Sequence, residues 1–173
     1  MKQQKGFSLV ELVIVIIVVG LLAVAALPRF LDVTDEARRA SIEGVAGGFA
    51  TAVLSVRAQW EANARPVSAG QNTINYDGTD FWLTVEDNTN NIRPGYPVSV
   101  NPDQQTVIQN AAQCATLMEE LLQNPPSVSS AVGSKYLVTA DTLQNTCTYT
   151  QQENAGHFFE YDPETGRVTV TLN

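Results

Sequence analysis

Histidine occurs once in this 173-residue sequence and cysteine twice. His157, Cys114 and Cys147 fall short of most structural zinc sets, which need four thiolate or imidazole ligands. Basic residues are also scarce: ten Lys and Arg stand against 18 Asp and Glu, for a formal charge of −8. Nonspecific nucleic-acid binding draws its affinity from cations that release phosphate counterions. No basic stripe interleaved with aromatics is present, so nucleic acid is not an expected partner. The sequence holds no nucleophile elbow and no Ser/His/Asp grouping, so no catalytic set is expected and His157 reads as a structural residue on a strand. The oxygen-rich run Glu86-Asp87-Asn88-Thr89-Asn90-Asn91 misses the EF-hand spacing and reads as a solvated turn. No cofactor and no metal site is predicted.

What the chain does have is one long apolar run. From Phe7 to Leu27, 15 of 21 residues are Leu, Ile, Val or Phe. As a helix this run rises about 31 Å at ~1.5 Å per residue, enough to cross the ~30 Å hydrocarbon core of a bilayer. Its apolar residues favour insertion by roughly −4.5 to −9 kcal/mol, which outweighs one carboxylate, Glu11, near its start. Lys2 and Lys5 precede the run, and Asp32, Asp35 and Glu36 follow it. That asymmetry places the N-terminus in the cytoplasm and the following domain outside. Outside is an oxidising compartment, so Cys114 and Cys147 are expected to form one disulfide. The remaining chain, about 145 residues, is long enough for one small domain with its own core.

Three readings fit the first thirty residues. A secretory signal cleaved near Ala26 has a basic start, but its apolar stretch is 7–15 residues and uncharged. A plain signal anchor leaves Glu11 and the Lys5-Gly6-Phe7 sequence without a purpose. The third reading is a resemblance. MKQQKGFSLVELVIVIIVVGLLAVAALPRF is similar to the start of type IV prepilins: a short basic leader ending in Gly6, then Phe7, then Glu11 within FSLVEL, with Pro28 after the apolar run. The later stretch ALPRFLDVTDEARRASIEGVAGGFATAV resembles the minor-pilin subgroup of the mannose-sensitive haemagglutinin (MSHA) pilus.

The resemblance implies a leader at 1–6, removed by a prepilin peptidase that cleaves between Gly6 and Phe7, and N-methylation of Phe7. It implies a structural subunit held in the inner membrane before assembly and extracellular in a filament afterwards. The expected partners are other pilin subunits and the pilus assembly machinery, and the expected role is surface attachment, motility or biofilm formation. Glu11 then has a purpose, pairing with the freed Phe7 amine of an adjacent subunit and so fixing register. The alternatives are a type II secretion pseudopilin, some of which bind calcium in a loop comparable to 86–91, and a membrane-anchored periplasmic enzyme.

The resemblance implies an α+β, type IV pilin fold: a long N-terminal helix packed on a small antiparallel sheet. Residue patterning agrees. Ile42, Val45, Phe49, Val53, Val56 and Trp60 recur at steps of three and four along one helical face, giving one helix over 7–64. Residues 7–27 form its membrane or filament-core half and 28–64 its amphipathic half, with a globular head at 65–173. Pro28 favours a kink, and in related filaments the Gly20–Pro28 stretch can lose helicity on assembly. In the head, NYDGTDFWLTV predicts a hairpin around Asp77-Gly78, and RPGYP a loop. Residues 102–124 predict a helix with Val107, Ala111, Cys114, Leu117 or Met118, and Leu121 on one face, stopped by Pro125 and Pro126. KYLVTA and TCTYTQ predict short strands. HFFEYD and RVTVTLN predict a hairpin about PETG, for a sheet of about four strands.

Overall fold

The structure, a computed structural model, describes residues 7–100, 105–153 and 156–173. The leader with Gly6, and the expected start of the second helix at Pro102, lie outside the described residues. Helix α1 spans Leu9–Ala62 and contains Pro28. The chain divides into two compact units, Met1–Arg38 and Arg39–Asn173, so the boundary falls within α1.

In the first unit the helix runs from Leu9, and as far as Leu27 its surface is apolar on every side. Phe7, Leu9, Leu12, Ile16, Leu22 and Phe30 are 83, 78, 58, 60, 65 and 71% exposed. None of its most apolar stretch is buried. A helix apolar all round belongs inside something, either a large core or a bilayer.

In the second unit the end of α1 is one wall of a core. Ile42, Ala46, Phe49, Val53, Val56 and Trp60 are buried, whereas Val45 is only partly so. The expected face therefore holds, with Ala46 taking the central place beside Ile42. Phe49 anchors it: its ring centroid lies 5.5 Å from Tyr149, 5.8 Å from Phe159 and 5.2 Å from Tyr161, and Tyr149 stacks on Phe159 at 4.7 Å. Tilted and edge contacts at these distances contribute about 0.5–1.5 kcal/mol each beyond burial.

The single sheet of about four strands is corrected to two sheets with nine strands among the described residues. The first orders β1 (Val67–Ser68), β2 (Gln71–Tyr76), β3 (Thr79–Leu83) and β4 (Pro97–Val100), all antiparallel. Tyr76 pairs with Thr79 across Asp77 (φ 50°) and Gly78 (φ 89°); two positive φ angles define the tight type I′ turn that the Asp-Gly pair predicted. The second sheet orders β5 (Val128–Ser129), β6 (Tyr136–Asp141), β7 (Thr146–Gln151), β8 (Phe158–Asp162) and β9 (Arg167–Thr171). β5 runs parallel to β6 and the others are antiparallel. The C-terminal hairpin is the expected one, with Gly166 at φ 72° and Phe159 and Tyr161 fully buried. A Cβ at Gly166 would run into the Tyr96 ring, so glycine is required there for space as well as for φ.

Helix α2 is shorter than predicted. It spans Ala111–Leu121, capped by Asn110, whose side chain accepts the Gln113 N–H. Residues 105–109 are held out of the helix by side chains from elsewhere. The Ser99 hydroxyl donates to the Gln105 carbonyl and accepts its N–H, the Ile108 N–H donates to Asn145 Oδ1, and the Gln109 N–H donates to Gln113 Oε1. Side chains that satisfy backbone groups this way compete with helical hydrogen bonds. As a result Val107 is 41% exposed rather than on the inner face, and Ile108 is buried instead.

α1 ends without a glycine. Ala64 (φ 61°) and Arg65 (φ 57°) both take the left-handed conformation, with the Arg65 N–H donating to the Trp60 carbonyl at 2.9 Å. An L-residue pays about 1–2 kcal/mol for that conformation, partly offset by the chain entropy glycine loses. Ala64→Gly should therefore stabilise by about 0.5–1 kcal/mol, read as a higher thermal midpoint of the detergent-solubilised chain. An unchanged or lower midpoint would show that the turn is not strained.

Candidate functional site

The candidate site is the start of α1, with Glu11 in the first turn and Phe7 two residues before the helix, on a stretch to Leu27 otherwise built mostly of aliphatic residues. Ser8 and Glu11 form a reciprocal pair. The Ser8 N–H donates to Glu11 Oε2 at 2.9 Å, and the Glu11 N–H donates to Ser8 Oγ at 3.2 Å. This is a capping box, in which residues three apart satisfy two N–H groups that the helix start leaves without intrahelical partners. Glu11 thus has a local task as well as the intersubunit one expected from the resemblance. The Ser8-Leu9-Val10-Glu11 spacing was the sequence signal for it. A carboxylate offers about four acceptor positions, so the cap leaves Glu11 able to accept from a second donor. Phe7 is 83% exposed beside it.

In the second unit, Cys114 and Cys147 form the expected disulfide, with Cα atoms 5.7 Å apart, linking α2 to β7. Both cysteines are fully buried. The Tyr149 hydroxyl donates to the Cys114 carbonyl at 2.8 Å and the Tyr161 hydroxyl to the Pro97 carbonyl at 2.8 Å. Burial raises the pKa of both phenols. Burial, with a smaller contribution from Glu153, pushes Tyr136 up to about 12. The Tyr149 and Tyr161 hydroxyls are held as neutral donors in a core, whereas the buried Tyr136 hydroxyl has no hydrogen-bond partner among the described residues.

His157 precedes β8 rather than lying on it, and it is 1% exposed. Its Nδ1 accepts the Asn173 N–H at 3.2 Å, and its carbonyl accepts the Gln151 N–H at 3.0 Å. It ties the chain end to the sheet, the structural role expected. Asp87 is engaged by its own loop. Oδ1 accepts the N–H groups of Thr89 and Asn90, and Oδ2 accepts the Asn90 amide at 2.7 Å. Those bonds, the Asn90 side chain first, hold its pKa below the usual carboxylate range. Among the described residues, no three His, Cys, Asp or Glu side chains come together as a metal set.

Residues 1–27, which contain this turn, match the model of the prokaryotic N-terminal methylation motif. The chain is 34% identical over 87 residues to the type IV narrow pilus major component PilA5 of Thermus thermophilus, covering 49% of this chain and 74% of that protein. It is 38% identical over 81 residues to a fimbrial protein of Moraxella nonliquefaciens, covering 47% of this chain and 49% of that one. A fimbrial protein of Neisseria meningitidis is 37% identical over 73 residues, covering 40% and 43%. The chain thus spans about three quarters of the first relative and about half or less of the other two. No solved structure gives a significant match. The apolar helix with its charged first turn, on a chain that also carries an α+β head, has the arrangement of a pilin. The chain belongs to the type IV pilin family.

The Asp87 turn yields a pH prediction. Because the folded pKa is depressed, its contribution is present above the unfolded value of about 3.9 and is lost as pH falls through the folded one. After correction for intrinsic exchange rates, hydrogen-exchange protection of the Thr89 and Asn90 amides should fall as pH drops below about 4. Protection that stays constant to pH ~2 would remove the carboxylate from the turn's support.

Proposed function

We propose that this chain is a structural subunit of a type IV pilus, processed between Gly6 and Phe7 and N-methylated on Phe7. Residues 1–6 serve as the leader, and 7–27 serve first as an inner-membrane span with its N-terminus cytoplasmic, then as the filament core. Residues 28–64 connect this span to the head, 65–173, which is extracellular once assembled. Its partners are the prepilin peptidase and methyltransferase, the pilus assembly machinery and other pilin subunits. The finer reading is a minor pilin of the MSHA type, resembling MshB and serving surface attachment, motility or biofilm formation. It rests on the similarity of ALPRFLDVTDEARRASIEGVAGGFATAV to that subgroup.

The observation that carries the proposal is an entirely exposed apolar helix whose first turn holds a carboxylate beside the position of the new amine. Apolar surface of this extent is stable in lipid or against copies of itself and not in water. In such a bundle a bare carboxylate is costly unless it is paired. The Phe7 ammonium of a neighbouring subunit supplies the charge, and a mandatory pair on a sliding apolar surface sets the register. A type II secretion pseudopilin shares this N-terminal arrangement, while the α2–β7 disulfide, bracing a head exposed outside the cell, favours the pilus.

Two substitutions separate the capping role from the pairing role. Glu11→Gln retains an acceptor for the Ser8 N–H, as capping boxes permit, but removes the charge. Glu11→Val removes both. Both variants should accumulate in the membrane at wild-type levels, and both should be missing from sheared filaments. Filaments that incorporate Glu11→Gln normally would reduce Glu11 to a helix cap.

A further inference from the structure

A groove of about 430 Å³ opens on the second unit, between the middle of its α1 segment, the β2–β3 turn and the end of α2. Its floor is Gly48, Ala52, Leu121 and Leu122. Thr51 and Ser55 line it as well, but their hydroxyls donate back to the carbonyls of Gly47 and Thr51, at 2.8 Å each. Each hydroxyl thus commits its proton within the helix. Gly48 keeps the floor deep. A Cβ there would sit 3.6 Å from Leu122 Cδ2, in ordinary contact, and no positive φ demands glycine.

The rim is acidic. Asp77 stands at the β2–β3 turn, and Glu120 accepts the Thr79 hydroxyl through Oε2 at 2.7 Å. An apolar floor beneath two carboxylates fits an occupant with an apolar body next to a cation. The chain carries such a pair just beyond its apolar run. Phe30 is 71% exposed and Arg29 adjoins it. Arg38 pairs with Asp35, and Arg57 and Arg65 pair with Glu61. Arg29 makes no salt bridge among the described residues.

We infer that this groove is the docking site for the Arg29-Phe30 step of a second copy, with Phe30 on the floor and Arg29 at the Glu120 and Asp77 carboxylates. The inference rests on the filament reading and adds to it a head-to-helix contact that selects one position of the neighbour. Complementary charge at such a rim excludes wrong registers more than it adds affinity.

The test uses the full-length chain in cells that assemble it. Arg29→Glu should lower the yield of sheared filaments about tenfold or more, and adding Glu120→Arg should restore most of it. Gly48→Leu, which fills the groove from within, should lower the yield with both charges intact. Cysteines beside the contact, at residues the docking does not use, test position directly. Filaments from cells co-expressing Val33→Cys and Gln123→Cys copies should contain a reducible dimer joining the two. Undiminished filaments from Arg29→Glu, or wild-type-like filaments in which the two cysteine-substituted copies fail to cross-link, would overturn the groove assignment. Normal filaments from Glu11→Gln would overturn the charge pairing in the filament reading while leaving the cross-linking result to judge the groove by itself.

Discussion

A helical surface that its own chain does not cover governs the molecule. From Phe7 to Leu27 the large side chains are exposed and almost all aliphatic. Burial of apolar area favours association by about 25 cal/mol per Å², so a surface this long has to be accommodated by lipid or by other subunits. The single charged side chain in that stretch, Glu11, sits in the first turn, capped against Ser8. A carboxylate with one local partner and remaining acceptor capacity is tolerated at a membrane edge, and it still seeks a cation when neighbouring helices exclude water.

The head answers a different demand. It holds its shape on a core supplied by one helix face, two sheets and α2. Phe49 places its ring against three aromatic residues of β7 and β8, so the helix and the second sheet share one core. The Cys114–Cys147 bridge closes a loop of 33 residues, which in the chain-entropy model stabilises by about 3–4 kcal/mol. Tyr149 donates to the carbonyl of the same Cys114, so a covalent and a polar tie converge where α2 meets β7.

Features set by repeating physics were legible in the residues. The apolar run, the three-and-four spacing from Ile42 to Trp60 and the Asp77-Gly78 turn all translate directly into structure. So does the inward face of Phe159 and Tyr161. The cysteine pair followed from compartment and count. What escaped depends on contacts between distant residues. Nothing near Val107 announces that Ser99, Gln113 and Asn145 will occupy the backbone groups of 105–109 and delay α2 to Ala111. β1 and β5, two residues each, are too short to show alternation, and β4 lies behind a Pro- and Gly-rich loop whose Gly95 is packed against Trp60. At the first turn Glu11 stood out by its charge, while its reciprocal bond to Ser8 went unread, because the spacing that marks a capping box was overshadowed by the apolar run.

We propose above all that the apolar helix stays on the mature chain and begins with a freed, modified amine one turn from Glu11. Intact-mass and N-terminal fragment spectra of the protein sheared from cells test it in one step. The expected result is a chain that begins at N-methylated Phe7 and retains the whole apolar run, recovered in filaments. A monomer in the extracellular fluid that begins at Met1, or one that begins near Ala26 with the run removed, would contradict it.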